Sequence, residues 1–268
     1  YFSNYINSDM EPSDVRSMCC RLRLDLRELR KKSGGFFGSG ESTGSIGVVT
    51  INLPRIAYLS EDVEEFYRRL DKLMDIAARS LKVKRDIITK LLEEGLYPYT
   101  KRYLGTFNNH FSTIGLIGMN EVGLNAKWLR KDMTHKETQE FAKDVLNHMR
   151  ERLSDYQELY GDLYNLEATP AESTTYRFAK HDKKHYPAII TANENGTPYY
   201  TNSSQLPVDF SDDVFAVLDL QDDLQKAYTG GTVLHIYNDE DVTAEECKVL
   251  LRKVLTNYRL PYVSFTAT

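Results

Sequence analysis

The stretch that decides the fold is residues 163–182, "LYNLEATPAESTTYRFAKHD". Residues 163–168 are β-rich, Thr169-Pro170 turns the chain, and residues 171–180 have helical character, with Thr169 placed as N-cap and Pro170 at the first helical position. A strand that turns at once into a helix is the building unit of an α/β sheet. The first N–H groups of such a helix, joined by the hydroxyls of Ser173, Thr174 and Thr175, form a ready site for phosphate. An ordinary capped helix is the plainer alternative, because caps of this kind are common.

The same alternation extends along the chain. Further β-rich stretches occur at 46–53, 111–119, 198–204 and 232–238. Residues 61–94 predict a long amphipathic helix, with Phe66, Leu70, Leu73, Ile76, Ala77 and Leu81 on its apolar face, Ser60 as cap and Gly95 as stop. A second helix opens on a capping box, Thr134 to Glu137, and buries Phe141, Val145, Met149, Leu153 and Tyr156. A third opens on Thr243 to Glu246 and aligns Cys247, Leu250, Leu251, Val254 and Tyr258. Strands alternating with helices imply a largely parallel sheet or barrel, with reactive groups beyond the strand ends.

Composition narrows the function. A chain of 268 residues, 41% hydrophobic, supports a sizeable core. Its net charge of −5 supplies no general positive field for nucleic acid or an anionic membrane, so any anion site is local. There is no run of eighteen apolar residues and no signal-peptide layout, which predicts a soluble, cytoplasmic protein. The opening "YFSNYIN", without an initiator Met, predicts a piece of a longer polypeptide.

Two of the three cysteines are adjacent, in Met18-Cys19-Cys20-Arg21. Adjacent cysteines rarely bridge each other, so both are expected as thiols in a reducing compartment. Arg16, Arg21 and Arg23 lie close by, and positive charge lowers a thiol pKa, so the pair reads as either redox-active or packed. Residues 31–46 follow with five glycines and four serines, either a mobile loop or one whose backbone must approach something closely. Cys247, alone on a helix stripe, reads as core. His181 and His185, four apart in a lysine-rich turn, give no metal-ligand pattern, and no P-loop, Rossmann fingerprint or nucleophile elbow is present.

Five ordered blocks carry a specific resemblance: "YFSNYINSDMEPSDVRSMCCRLRLDL", "GSIGVVTINLPRIAYL", "TPAESTTYRFAKHD", "YYTNSSQLPVD" and "GGTVLHIY". Together they resemble the anaerobic, class III ribonucleoside-triphosphate reductases, which are glycyl radical enzymes. The resemblance implies an α/β fold, part of a ten-stranded barrel of two five-stranded halves with a finger loop, about residues 17–46, threaded through it. Residues 1–268 would be the C-terminal portion of the catalytic barrel. It implies anaerobic reduction of ribonucleoside triphosphates for DNA synthesis, with Cys20 as the thiyl radical residue at the finger tip. It also implies a triphosphate site at Thr169, Ala171, Glu172, Ser173 and Thr174, with Glu172 contacting the ribose, transferring a proton or favouring the helix start.

The further parts it implies lie outside this chain: the glycyl radical, made by an iron–sulfur/S-adenosylmethionine activase, a four-cysteine zinc site, and an N-terminal ATP-binding, allosteric cone. Partners implied are ribonucleoside triphosphates, the radical activating enzyme, a reductant and a second copy in a homodimer. Formate-using members carry asparagine where this chain has Ser45, and glycine where it has Cys19. Those departures favour a redoxin-type reductant over formate, with Cys19 either in the redox pair or packed. A pyruvate formate-lyase relative needs no "TPAEST" phosphate site, and a non-catalytic nucleotide-binding module derived from a reductase is the other alternative.

Overall fold

The computed structural model describes residues 2–6, 17–18, 21–22, 43–207, 210–211, 213–238 and 243–267. In chain order the strands are β1 (Phe2–Ile6), β2 (Ser17–Met18), β3 (Arg21–Leu22), β4 (Gly44–Asn52), β5 (His110–Ile117), β6 (Leu163–Glu167), β7 (Leu234–Asn238) and β8 (Tyr262–Ala267). The helices are α1 (Leu53–Leu59), α2 (Val63–Glu93), α3 (Pro98–Tyr103), α4 (Met119–Asn125), α5 (Lys136–Tyr160), α6 (Glu172–His185), α7 (Val214–Gln225) and α8 (Ala244–Asn257). No described helix is long and apolar enough to cross a membrane.

The main sheet is parallel, in the order β4-β5-β6, with Ile51 opposite Leu116 and Ile114 opposite Leu166. All eight β5 residues are buried, as expected for a central strand between covered faces. The core over this sheet joins Phe66, Leu70 and Met74 of α2 to Ile114 of β5 and to Val145 and Met149 of α5. A second sheet has the order β1-β8-β7, with β1 antiparallel and β7 parallel to β8. Its core joins Leu218 of α7 and Val254 of α8 to Leu234, Ile236 and Val263. β2 and β3 form a two-stranded antiparallel pair with Met18 opposite Arg21. The fold is therefore α/β, with its described strands in sheets of three, three and two.

Several local expectations shift. The α2 N-cap is Asp62, whose carboxylate accepts from the Glu65 N–H at 2.8 Å. Ser60 instead follows α1, donating its hydroxyl to the Ile56 carbonyl at 2.7 Å. The buried α2 stripe runs through Phe66, Leu70, Met74, Ala77 and Leu81, whereas Leu73 and Ile76 are 40% and 52% exposed. Leu73 and Ile76, three apart, share the spacing of the apolar face but lie at its exposed edge. The α5 capping box does not form, because Thr134 donates to Asp132 and Glu137 turns to Lys131. The α8 box does form, between Thr243 and Glu246, although Cys247 beyond it is only half-buried. Residues 198–204 make only isolated bridges, Ala192 to Tyr199 and Ile117 to Asn202, rather than a strand.

The corrected α2 stripe is directly testable. Met74→Ala, which opens a hole at a fully buried position, is expected to lower unfolding stability by about 2–4 kcal/mol. Leu73→Ala is expected to change it by under about 1 kcal/mol. Urea unfolding of the two variants distinguishes the stripes.

Candidate functional site

The site forms where α6 crosses the C-terminal ends of the main sheet. α6 starts just beyond β6, packs Ala179 on Ile117 at the end of β5, and brings Asp182 to Asn52 at the end of β4. Its buried residues, Thr175, Ala179 and Asp182, follow helical spacing. Asp182 is wholly buried, and a buried carboxylate needs partners. It accepts from Asn52 Nδ2 at 2.8 Å, from Arg55 Nε at 2.7 Å and from the Tyr200 hydroxyl at 2.8 Å. Burial, with the Asp182 carboxylate next in importance, pushes the Tyr200 phenol far above its usual range, so it stays a donor.

Tyr200 leads into a clamped segment. Gly118 donates its N–H to the Thr201 carbonyl at 2.8 Å, and Met119 to the Ser203 carbonyl at 3.0 Å. Glu121 of α4, also wholly buried, accepts from the Thr201 N–H at 2.9 Å, the Thr201 hydroxyl at 2.8 Å and Asn120 Nδ2 at 3.1 Å. Burial raises the Glu121 pKa, and these hydrogen bonds oppose the rise. Gly118 has φ +76°, and a Cβ there would stand 2.2 Å from Pro54 Cγ, so glycine alone fits. On its far side the segment is tied to α7, Gln221 Nε2 donating to the Ser204 carbonyl at 3.0 Å.

Between the α6 start, this segment and β7 lies a cleft of about 840 Å³. Pro170, Glu172, Asn202, Leu206, Val217 and Ile236 are among the residues that line it. His235 also lines it, and burial lowers its pKa while the nearby Glu172 carboxylate raises it. Such crevices beyond the carboxyl ends of parallel strands are where α/β sheets bind ligands.

The expected phosphate residues separate within this frame. The helix begins at Glu172 with Ala171 at the N-cap and no side-chain cap, not with Thr169 as cap. The Thr169 side chain is buried against β5, and a Cβ on Gly115 would stand 1.8 Å from its Oγ1. Glu172 is exposed on the cleft wall, Ser173 is exposed and Thr174 half-buried, and neither of these two lines the cleft. Thr175 spends its hydroxyl on the Glu172 carbonyl at 2.8 Å. Ser45 sits in β4 beside a register shift, its hydroxyl 3.2 Å from Thr113 Oγ1. Cys19 and Cys20, which separate β2 from β3 in sequence, lie outside the described residues, as does most of the expected finger loop. Among the described residues no group of three or more His, Cys, Asp or Glu side chains could hold a metal ion, and the His181 and His185 rings stack with centroids 5.8 Å apart.

Glu121, Asp182, Asn202 and His235 were not singled out from the sequence as site residues. A usable signal existed for Asp182, a carboxylate in register with Thr175 and Ala179 on the buried face of α6.

Comparison with known proteins gives this geometry a lineage. The profile of the anaerobic ribonucleoside-triphosphate reductases matches residues 1–268. The chain belongs to that family. It is 28% identical over 223 residues to the anaerobic ribonucleoside-triphosphate reductase of Haemophilus influenzae, covering 75% of this chain and 31% of that one. It is 25% identical over 215 residues to the reductase of Enterobacteria phage T4, covering 73% and 33%. The crystal structure of the Thermotoga maritima anaerobic ribonucleotide reductase with glycerol in its active site superimposes with a TM-score of 0.70 at 26% identity, covering 84% of this chain and 36% of that one. The same enzyme in complex with dATP and CTP gives 0.69 at 27% identity, covering 84% and 37%. The chain spans about a third of the length of the curated reductases it matches.

Glu121 sets a pH dependence on this reductase segment. A carboxyl whose folded pKa lies above its unfolded value stabilises the fold most below the unfolded value, near 4.5, and loses that contribution as pH rises through the folded pKa. Stability measured by urea unfolding at pH 4.5 and pH 7.5 is therefore expected to shift in favour of Glu121→Gln, relative to the parent, at the higher pH. An unchanged difference would show that Glu121 titrates alike in both states.

Proposed function

We propose that the protein carrying this chain reduces ribonucleoside triphosphates to 2'-deoxyribonucleoside triphosphates by thiyl radical chemistry, in the absence of oxygen. The observation that carries the reading is the cleft beyond the strand ends, with the start of α6 in its wall, in a chain whose family match spans residues 1–268. The N–H groups of residues 172–174, left over at the helix start, suit the triphosphate, as they do wherever a helix N-terminus meets an anion. Glu172 hydrogen-bonds the ribose or moves a proton there.

In this reading the chain is the C-terminal portion of a ten-stranded catalytic barrel, and residues 17–46 are its finger loop. Cys20, as a thiyl, takes the hydrogen from the ribose 3' carbon. The 2'-hydroxyl takes up a proton and leaves as water, a dithiol reductant passing to its disulfide supplies the two electrons and two protons that replace that proton and put hydrogen on the 2' carbon, and Cys20 returns hydrogen to the 3' carbon. A glycyl radical outside this chain, formed by a radical S-adenosylmethionine activase, supplies the unpaired electron. A zinc site likewise lies beyond the chain, and the enzyme works as a cytoplasmic homodimer. Ser45 in place of asparagine and the additional thiol of Cys19 support a redoxin-type dithiol as reductant in place of formate.

In the activated full-length protein, Cys20→Ala is expected to abolish turnover while nucleotide binding stays within about twofold of the parent. Retained turnover would move the radical to Cys19 or another residue. Anaerobic assays with a thioredoxin system are expected to give deoxynucleotide where formate gives none, and product with formate alone would overturn the reading of Ser45 and Cys19.

A further inference from the structure

We infer that His235, as the imidazolium, pairs with the phosphate chain of the nucleotide held in the cleft, an inference that rests on the reductase reading above. His235 is an exposed residue of β7 and lines the cleft, so a ligand there can reach its ring. Val233, Leu234 and Ile236 around it are buried. This strand therefore offers the cleft one exposed side chain able to carry charge.

The charges around the cleft give that side chain its task. Among the described residues that line the cleft there is no lysine or arginine, Glu172 is the one acid, and His235 is the one side chain that can become a cation. A triphosphate brings several negative charges. A helix start answers with roughly half an elementary charge, and the Glu172 carboxylate in its first turn works against an anion. A protonated imidazole supplies a full positive charge and two N–H donors, and bonds from such a donor to phosphate are among the strong ones.

The groups that act on the ring can be named element by element. β8 sets Ser264 opposite His235 in register. The described lining residues of 199–211 and of α7 carry no ionisable group except the Tyr199 and Tyr200 phenols. The start of α6 brings Glu172, whose carboxylate raises the His235 pKa while burial, the larger effect, lowers it. The ring alone therefore titrates below an ordinary histidine, and a phosphate beside it reverses that shift, so that the nucleotide binds together with a proton.

The activated full-length protein is assayed for KM and kcat with a ribonucleoside triphosphate between about pH 6 and about pH 8.5, for the parent, His235→Gln and His235→Lys. At the acid end His235→Gln is expected to raise KM about five- to tenfold, with kcat within about twofold of the parent. At the alkaline end, where the parent ring is neutral as well, the two KM values are expected to agree within about twofold. His235→Lys, charged throughout, is expected to keep KM low at both ends. The phosphates of the substrate titrate alike with all three proteins, so the ratio of each variant to the parent reads the side chain. A KM ratio for His235→Gln that stays constant across the range, or a loss confined to kcat, would overturn the inference, as would a His235→Lys protein as weak as His235→Gln. A parent protein that turns over no ribonucleotide with either formate or a redoxin system would overturn the reductase reading, and this inference with it.

Discussion

Asp182 has no exposed surface, and the working end of the molecule depends on what holds it there. Taking a carboxylate out of water is unfavourable by several kcal/mol unless geometry and hydrogen bonds offset it. Here the offset comes from three separate parts of the chain: Asn52 at the end of β4, Arg55 on α1 and Tyr200 from the segment before α7. Removing the Arg55 charge from such a set leaves a buried carboxylate uncompensated, at about 3–5 kcal/mol. The consequence is positional. With Asp182 fixed over β4 and Ala179 over β5, α6 must lie across the strand ends, and its first turn must open beside β6.

Glu121 extends the same constraint one strand over. It ties residue 201 to α4, while the carbonyls of Thr201 and Ser203 take the N–H groups of Gly118 and Met119. Two buried carboxylates, neither of which lines the cleft, therefore fix two of the segments that do, the start of α6 and residues 200–203. The acidity of the chain is consistent with this arrangement. A net charge of −5 supplies no general positive field, so any anion site in this chain is a local one.

What the sequence made legible follows from the range of the forces involved. The strand at 163–168, the face Phe141 to Tyr156 of α5 and the Thr243 capping box rest on neighbours within a few residues, and each was readable. Capping failed where a competing partner stood nearby, as Asp132 did for Thr134 and Lys131 for Glu137. Short helices α1 and α4 went unread, although Asn52 ahead of Pro54 is a start signal, the Asn52 side chain accepting from the Arg55 N–H. β8 was passed over too, a short run whose partners, β1 and β7, lie far away in sequence. Residues 198–204 looked like a strand because they are β-rich, but their backbone is spent on α4 and their side chains on Asp182 and Glu121. Residues 169–175 were legible as a helix start. Its cap was not, because Thr169 is packed against Gly115, a contact 54 residues away in sequence that no local rule contains.

Three helices begin at this end of the main sheet, and the way each start is satisfied separates them. α1 is capped by the Asn52 side chain, and α4 begins with its Gly118 and Met119 N–H groups bound to the Thr201 and Ser203 carbonyls. α6 has no side-chain cap, and among the described residues no hydrogen bond takes the N–H groups of residues 172–174. The first N–H groups of a helix are met by a side-chain cap, by water or by a ligand, and Ser, Thr or Asp at the N-cap is the usual side-chain solution. The chain has Ala171 at that position, next to a cleft large enough for a nucleotide, while the hydroxyl that could have served as cap is turned onto β5. The start left open is the one whose first residue, Glu172, lines the cleft, so a donor withheld from capping remains there for a ligand.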